Sequence, residues 1–209
     1  MKSKKNPIPL SAMILAGGKS SRMGSDKAFL KFGEMTMVEN LAALLNSLFD
    51  ETLIIVDKKQ KFESLGLGSA KVYEDFIKAK GPLAGIYAGL SYSKHPASVV
   101  LTCDMPFIDS AFIRDLVDFW EEGFDALSIE DGKGDAHPFP GIYMRSARHL
   151  MRLLLDRNEA SMRRFLEVAT VKKLVFHEER IRILTNMNTI EDYYAVLKEK
   201  EEHYGGIGA

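Results

Sequence analysis

The segment Leu15-Ala-Gly-Gly-Lys-Ser-Ser-Arg-Met-Gly-Ser-Asp-Lys27 begins where a short apolar run ends. A strand that leads into a glycine-rich turn predicts a ligand site at the carboxyl edge of an open α/β sheet. Gly17 and Gly18 let the main chain approach a ligand closely and present N–H groups to phosphate oxygens. Because Arg22 and Lys27 add positive charge to the same turn, the segment favours a phosphate-binding loop suited to a triphosphate.

Two familiar phosphate motifs do not fit this segment. A P-loop ending at Gly18-Lys-Ser20 needs its first glycine at position 13, which is methionine, and the G-x-G-x-x-G spacing of dinucleotide folds is absent. The sequence therefore excludes a P-loop NTPase and a standard dinucleotide-binding domain. The alternative interpretation is a tight strand-to-helix turn whose basic side chains are only solvated.

Outward from this segment, short apolar runs alternate with helix-length stretches. The predicted strands are Ala12 to Ala16, Thr52 to Val56, Ala70 to Tyr73, Ser98 to Thr102 and Ala126 to Ile129. Apolar side chains recur at helical spacing from Met37 to Leu48 and from Phe112 to Trp120. This alternation predicts βαβ units, and hence a three-layer α/β/α domain around a mostly parallel sheet.

The 209 residues fit a single domain, 1–209, with an N-terminal tail over 1–11 and a flexible end over 205–209. Beyond Ala147 the pattern is helical, with one further strand predicted from Lys173 to Phe176. The last helix is expected to begin at Thr189-Ile-Glu-Asp192, which has the form of a capping box.

Composition excludes several classes of protein. A formal net charge of −1 gives no general reason to expect binding to nucleic acid or to a membrane surface. The single cysteine, Cys103, excludes an intrachain disulfide and a multi-cysteine zinc site. No apolar stretch approaches the ~20 residues that span a bilayer, and the N-terminus does not resemble a signal peptide. We therefore expect a cytoplasmic protein.

The strand predicted at Ser98 to Thr102 leads directly into Cys103-Asp104-Met-Pro106. If this strand is parallel to the first, Asp104 lies at the same sheet edge as the glycine-rich loop. A carboxylate there is suited to Mg²⁺, which usually takes one or two protein carboxylates together with phosphate oxygens and waters. The alternative is a turn or helix-capping aspartate. Cys103 is interpreted as a small core residue rather than a nucleophile.

These motifs resemble the molybdenum cofactor guanylyltransferase family, within the nucleotidyltransferases that have a Rossmann-like sheet. The family pattern L-A-G-G-x-x-x-R-M-G-x-D-K is present from Leu15 to Lys27, G-P-L-A-G from Gly81 to Gly85, and C-D-x-P from Cys103 to Pro106. The similarity extends from about Ala12 to Leu197. The double glycine and G-P-L-A-G are similar to the guanylyl rather than the cytidylyl enzymes.

The resemblance implies a Mg²⁺-dependent transfer of GMP from GTP to molybdopterin carrying molybdenum, which yields the dinucleotide cofactor and pyrophosphate. It implies that the main chain at Leu15, Ala16, Gly17 and Gly18 holds the nucleotide. It also implies catalytic roles for Arg22 and Lys27 at the phosphates and for Asp104 as the ligand of Mg²⁺ and nucleotide. Transient contacts with other proteins of molybdenum cofactor biosynthesis are a further expectation.

Two acidic residues are candidates for contact with the nucleoside. Asp75 matches the acidic family position expected to contact guanine, because a carboxylate accepts hydrogen bonds from guanine N1–H and the N2 amino group. Asp57 stands where the family often has asparagine, so a contact with base or ribose and a simple turn remain equal alternatives. An ordinary turn is also the alternative for Asp75.

The acceptor side is less defined. The polar loop from Asp131 to Pro138 contains Asp135 and His137, which are candidates for a pterin, phosphate or metal contact, or are simply loop residues. Arg163 and Arg164 are interpreted as a solvated helix face rather than an anion site. A further pair of residues, Asn186 and Asn188, either orients the acceptor or shapes the turn into the last helix.

Two other functions are compatible with the same residues. One is a cytidylyltransferase, or another nucleotidyltransferase with a different phosphorylated acceptor. The other belongs to a different class: a non-catalytic nucleotide-binding adaptor, which would have no need for a metal-binding carboxylate at Asp104.

Overall fold

The computed structural model describes residues 9–17, 26–78, 80–176 and 182–204. Gly18 and Arg22 of the glycine-rich loop, most of the predicted tail and the end over 205–209 lie outside these ranges. The strands are β1 Leu10–Leu15, β2 Lys31–Phe32, β3 Met35–Thr36, β4 Thr52–Val56, β5 Lys71–Glu74, β6 Ala97–Thr102, β7 Ala126–Glu130, β8 Ala136–Met144 and β9 Val171–Val175. The α-helices are α1 Met37–Asn46, α2 Pro82–Tyr92, α3 Ser110–Phe119, α4 Arg148–Asp156, α5 Met162–Val168 and α6 Ile190–Tyr204.

Within the described residues, seven strands form one sheet in the order β5-β4-β1-β6-β8-β7-β9. Neighbours from β5 to β6 pair in parallel, as do β7 and β9, whereas β8 runs antiparallel to both β6 and β7. The predicted mostly parallel sheet is confirmed. Because β1, β4, β5 and β6 run the same way, their carboxyl ends meet at one edge.

Helices cover both faces of the sheet. Alternate strand residues such as Ile14 and Ile54 pack with α1 and α3 in one core cluster. Their neighbours Met13 and Leu53 point the other way and pack with α2, α4 and α5 in a second cluster. Strands buried on both faces require nearly continuous apolar sequence, which β1 and β4 have. The predicted three-layer α/β/α architecture is therefore confirmed.

Several helices begin at residues that satisfy their free main-chain N–H groups. Thr36 and Glu39 form a capping box at α1, and the Asp109 carboxylate accepts from Phe112 N at α3. Helix α2 begins with Pro82 after Gly81, whose φ of +73° favours glycine. This glycine and proline therefore allow the chain to turn directly into α2.

Two predicted boundaries are wrong. The tail does not extend to residue 11, because Leu10 and Ser11 belong to β1 and pair with Ala97 and Ser98 of β6. The loop predicted over 131–138 ends early, because β8 begins at Ala136 and includes His137. In both places cross-strand pairing, which the local sequence does not reveal, extends the strand. Among the described residues, no helix is both long and apolar enough to cross a membrane.

Candidate active site

A cleft of about 490 Å³ opens at the carboxyl ends of β1, β4, β5 and β6. It collects residues from five separate parts of the sequence, including both ends of the glycine-rich segment and the start of α2. Its lining comprises Leu15, Ala16, Gly17, Asp26, Lys27, Ile55, Val56, Asp57, Asp75, Lys78, Gly81, Pro82, Gly85, Thr102, Cys103 and Asp104. All predicted nucleotide-binding residues within the described ranges therefore line one cavity.

Lys27 stands at the start of a short 3₁₀ helix, Lys27–Phe29, which follows the glycine-rich loop. The Asp26 carboxylate accepts a hydrogen bond from Ala28 N, and Ala28 is fully buried. These two contacts fix the main chain beneath Lys27. Its ammonium donates to Asp104 Oδ2 at 3.1 Å and to Asn188 Oδ1 at 2.9 Å. A cation and a carboxylate thus lie side by side at the cleft.

Asp104 is held from several directions. Thr102 Oγ1 donates to Asp104 Oδ1 at 2.6 Å, and Met187 N donates to the Asp104 carbonyl at 2.9 Å. Its side chain keeps 18% of its surface exposed beside Lys27 at 16%. The carboxylate is therefore oriented by the protein while still reaching the cleft.

The main chain at the end of β1 is locked between its neighbours. Ala16 N donates to Ile55 O at 2.9 Å, and Cys103 N donates to Leu15 O at 3.2 Å. A Cβ at Gly17 would lie 3.1 Å from Asp57 N and 3.4 Å from Asp57 Oδ1. This crowding explains why glycine occupies the first position beyond Ala16, where β1 and β4 approach closely.

Asp75 lines the cleft directly after the end of β5. Its main-chain N donates to Val56 O, and its Oδ1 accepts from Ile77 N, both at 2.8 Å. Burial raises the pKa of the Asp75 carboxyl, against the opposing effects of the Ile77 hydrogen bond and the Lys78 charge. Lys78 donates to the Asp57 carbonyl at 2.7 Å and so ties the ends of β4 and β5 together. No described residue donates to Asp75 Oδ2, which leaves an acceptor for a ligand.

A model of the MobA-like NTP transferase domain matches residues 12–176. The chain belongs to this family. A probable molybdenum cofactor guanylyltransferase of Clostridium perfringens (strain SM101 / Type A) is 33% identical over 204 residues, covering 93% of this chain and 99% of the relative. Another, from Carboxydothermus hydrogenoformans, is 32% identical over 194 residues, covering 90% and 95%.

Solved structures share the fold of this MobA-like chain. The molybdopterin-guanine dinucleotide biosynthesis protein A of Archaeoglobus fulgidus superposes with a TM-score of 0.76 at 22% identity, covering 95% of this chain and 100% of the other. A CMP:2-keto-3-deoxy-manno-octonic acid synthetase superposes with a TM-score of 0.68 at 12% identity, covering 93% and 99%. At these identities the likeness shows the fold alone.

Cys103 lines the cleft of this MobA-like chain but lacks the features of a nucleophile. Burial, together with the adjacent Asp104 charge, raises the pKa of the thiol to about 12. A thiol with so high a pKa stays protonated at neutral pH, whereas the thiolate is the reactive form. Its side chain packs against the core. These observations support the interpretation of Cys103 as a packing residue.

The two acceptor candidates near the turn before β8, His137 and Asp135, have different surroundings. His137 Nε2 lies 3.0 Å from Asp131 Oδ2, and this contact is the first of the causes that lower the pKa of Asp131. The antiparallel register between β6 and β8 carries His137 toward the same sheet edge as Asp104. Asp135 is exposed, and its main chain closes the turn through bonds with Asp131.

The two arginines lie on a solvated helix face, as expected. Arg163 pairs with Glu167, and Arg164 pairs with Glu159 and Glu167. Neither lines the cleft.

Sequence reasoning missed some of the site. The sequence pattern predicts only a strand residue at Thr102, yet its hydroxyl orients Asp104. The sequence gives no signal for Lys78 beyond its place three residues after Asp75, yet it lines the cleft. For Asn188, the sequence left a structural and a functional interpretation open, and the structure places its side chain on Lys27. The capping-box pattern at Thr189 was the available signal that this segment is held rigidly.

Proposed function

We propose that this protein transfers GMP from GTP to molybdopterin carrying molybdenum, forming the guanine dinucleotide cofactor and releasing pyrophosphate. The observation that carries the proposal is the juxtaposition of Lys27 and Asp104 in the strand-end cleft of a MobA-like chain. The relatives named as guanylyltransferases favour this function over a cytidylyltransferase or a binding-only adaptor.

The reaction that fits this site is a direct displacement at phosphorus. An oxygen of the acceptor's terminal phosphate attacks the α-phosphorus of GTP. A new P–O bond forms, the bond to the oxygen that bridges the α- and β-phosphates breaks, and pyrophosphate leaves with the electron pair. A phosphate is already anionic at neutral pH, so the attack needs no general base. Catalysis then depends on positioning the reactants and on stabilising the charge of the transition state.

Lys27 is suited to stabilising this charge. Its ammonium is held in place by Asp104 and Asn188, so a phosphate that enters the cleft meets a fixed positive charge. A preorganised charge stabilises the transition state without reorganising during the reaction. We propose that Arg22, which lies outside the described residues, adds a second positive charge. The main chain of Leu15, Ala16, Gly17 and Gly18 would hold the nucleotide.

The donor set at Asp104 fits Mg²⁺. Its two carboxylate oxygens each accept one hydrogen bond, from Thr102 and from Lys27, and each oxygen has a second lone pair for coordination. Mg²⁺ commonly binds through one or two carboxylates together with substrate phosphates. We propose Asp104 as its protein ligand, where the bound ion would neutralise charge on the reacting and departing phosphates.

Asp75 fits the recognition of guanine. Its Oδ2 accepts no hydrogen bond from a described residue, and it follows β5, which β4 and β1 separate from β6 and its Asp104. A carboxylate in that place can accept from guanine N1–H and N2, donors that cytosine does not offer in this arrangement. Asp57, which lies beside Gly17 at the end of β4, would contribute to the nucleoside contact.

A two-step experiment tests the proposal. Calorimetric titration with GTP, CTP and ATP in the presence of Mg²⁺ should show preference for GTP, weakened in D75N and D104N but not in D118N, which alters an exposed aspartate on α3. Pyrophosphate release should then require both GTP and molybdopterin. Preference for CTP would overturn the guanylyl assignment, and GTP binding without any transfer would favour the adaptor. A cytoplasmic location and transient contacts with other proteins of molybdenum cofactor biosynthesis are further parts of this proposal.

A further inference from the structure

The segment that precedes the last helix lies at the edge of the sheet where Asp104 follows β6. Helix α6 packs on the β2–β3 hairpin and the start of α1: Tyr193 donates to Lys31 O at 2.8 Å, and buried Val196 lies in one apolar cluster with Met37. Just before the helix, Met187 is fully buried and its main-chain N donates to Asp104 O at 2.9 Å. The residues at 187–189 are therefore fixed against the strand end that carries the proposed metal ligand.

Asp192 holds this segment in shape. Its Oδ2 accepts hydrogen bonds from Asn188 N and Thr189 N, both at 2.8 Å, while Thr189 Oγ1 accepts from Asp192 N at 3.1 Å. These two main-chain donors are the largest causes that lower the pKa of the Asp192 carboxyl. One carboxylate oxygen thus fixes the main chain of two consecutive residues.

Asn188 connects this segment to Lys27 in the candidate active site. Its side-chain oxygen accepts from Lys27 Nζ at 2.9 Å, across a separation of 161 residues. A lysine ammonium is a compact charge on a flexible four-carbon stem, so its location depends on what its donors meet. With Asn188 on one side and Asp104 on the other, the Lys27 ammonium has a defined position.

We propose that Asp192 is a positioning residue for Lys27. By holding the main chain of Asn188, it presents the asparagine oxygen that fixes the ammonium beside Asp104, and so governs the rate of GMP transfer more than the affinity for GTP. This inference rests on the proposed function, because it assigns Lys27 the role of stabilising the transferring phosphate. Small displacements of such a group are costly, since catalysis here depends on positioning.

The neighbouring Glu191 provides a matched control. Both residues are acidic and lie in the first turn of α6, where a negative charge favours the helix through its dipole. Glu191 is exposed and makes no contact with Asn188 or Thr189 among the described residues. E191A therefore removes the same charge from the same turn without releasing the segment before it.

Two further variants separate geometry from charge. D192N loses the charge but keeps an oxygen in place that can accept both hydrogen bonds. D192E keeps the charge but carries the oxygens one methylene further out. A dipole role alone predicts that D192E resembles the wild type and that D192N is impaired, and a capping role alone also predicts that D192E is tolerated, because Glu is the usual residue at this position. The positioning role predicts the reverse order in kcat.

The experiment measures kcat and KM for GTP in pyrophosphate release with Mg²⁺ and molybdopterin, the Kd for GTP by calorimetry, and the thermal midpoint. We expect D192A and D192E to lose about tenfold or more in kcat with little change in Kd for GTP. E191A and D192N should stay near the wild type. N188A should lose a similar factor, and D192A should add little to it in the double variant, because both act through one contact.

Several outcomes would overturn the inference. Equal kcat in D192A and E191A would do so, as would losses in D192A and N188A that multiply in the double variant. If D192A does not fold, the order of D192E and D192N decides. Failure of the wild type to release pyrophosphate would instead remove the proposed function itself, so the two ideas fail separately.

Discussion

The Lys27 ammonium and the Asp104 carboxylate lie 3.1 Å apart, although 77 residues separate them in the sequence. Their side chains are only 16% and 18% exposed, so the pair lies at the wall of the cleft rather than in free solvent. The proposed cation for the phosphates and the proposed ligand for the metal thus lie side by side in the cleft. Substitutions at these two residues, and at the scaffold that holds them, should have separable effects.

Replacing Lys27 by methionine should impair turnover much more than folding. We expect K27M to lose about a hundredfold or more in kcat, the range found when one preorganised donor is removed from a transition state. K27M should remain folded, although the free energy of unfolding should fall by about 1–3 kcal/mol, because the Asp104 carboxylate is only 18% exposed and loses its cation. Steady-state kinetics and urea unfolding measure the two effects, with K71M at the exposed start of β5 as the control. A folded K27M with wild-type turnover would refute the role of Lys27.

Replacing Asp104 by asparagine should alter the dependence on Mg²⁺. D104N keeps one side-chain oxygen, which can accept from Lys27 while the amide NH2 donates to the Thr102 hydroxyl, but it removes the negative charge that a hard cation prefers. We expect the Mg²⁺ concentration for half-maximal rate to rise about tenfold or more, because ligand charge sets affinity at such sites. Initial rates measured across a Mg²⁺ titration test this, with D118N as the control. An unchanged Mg²⁺ dependence would remove Asp104 from the metal site.

Replacing Asp75 by asparagine should weaken the selection of guanine. The amide oxygen of the substituted side chain can still accept from Ile77 N, so the local turn is preserved. The lost charge-assisted contact to the base should weaken GTP binding by about tenfold or more, while the weaker binding of ATP and CTP should change little. Calorimetry with the three nucleotides measures the ratio. A constant GTP preference in D75N would place base recognition elsewhere.

The same substitution should stabilise the free protein at neutral pH. Burial raises the pKa of Asp75 above its ordinary value of 3.8, so folding penalises the ionised carboxylate. That penalty is fully present above the raised pKa and disappears as the pH falls below the ordinary value. D75N should therefore gain stability over the wild type at about pH 7, and the gain should shrink toward about pH 4. Urea unfolding at both pH values measures it, and a pH-independent difference would contradict the linkage.

Gly141 should resist substitution because the sheet leaves no room beside it. A Cβ at this position would lie 2.7 Å from Pro138 O and 2.8 Å from Leu127 O, and both are main-chain atoms that cannot rotate away. We expect G141A to lower the free energy of unfolding by about 2 kcal/mol, as overpacking does. G132A is the control, since no described atom outside its own and the adjacent residues lies within 4 Å of its added Cβ. Equal free energies of unfolding for the two variants would show that β8 shifts to accommodate the added methyl group.

Local features of the site were predictable from the sequence. The end of β1, the glycine at 17 and the acidic residues that follow β5 and β6 are encoded by short apolar runs and the residues after them. Parallel strands bring their carboxyl ends to one edge, so strand direction predicts Asp104 beside the glycine-rich loop, whereas the family resemblance implies the role of Asp75. The start of α6 was equally accessible, because a capping box involves residues only three positions apart.

Other features depended on pairing between distant segments. The first two residues of β1 and the antiparallel β8 owe their strand conformation to neighbours, and Pro and Gly residues within Ala136–Met144 conceal the strand in the sequence. The pairing of Asp131 with His137 likewise depends on how the turn before β8 closes. Strand propensity is weak wherever the sheet itself supplies the stabilising contacts.

The sequence by itself thus determined the α/β class, the position of the glycine-rich segment after β1 and the strand-end carboxylates, because each depends on residues that are neighbours along the chain. Only the tertiary structure decided that Asn188 meets Lys27, and that Asp192 holds Asn188 in place. That contact exists because α6 packs across the β2–β3 hairpin and carries its preceding segment over the end of β6. No local pattern specifies where a helix will dock, since docking is set by the complementary shapes and buried surfaces of the folded chain.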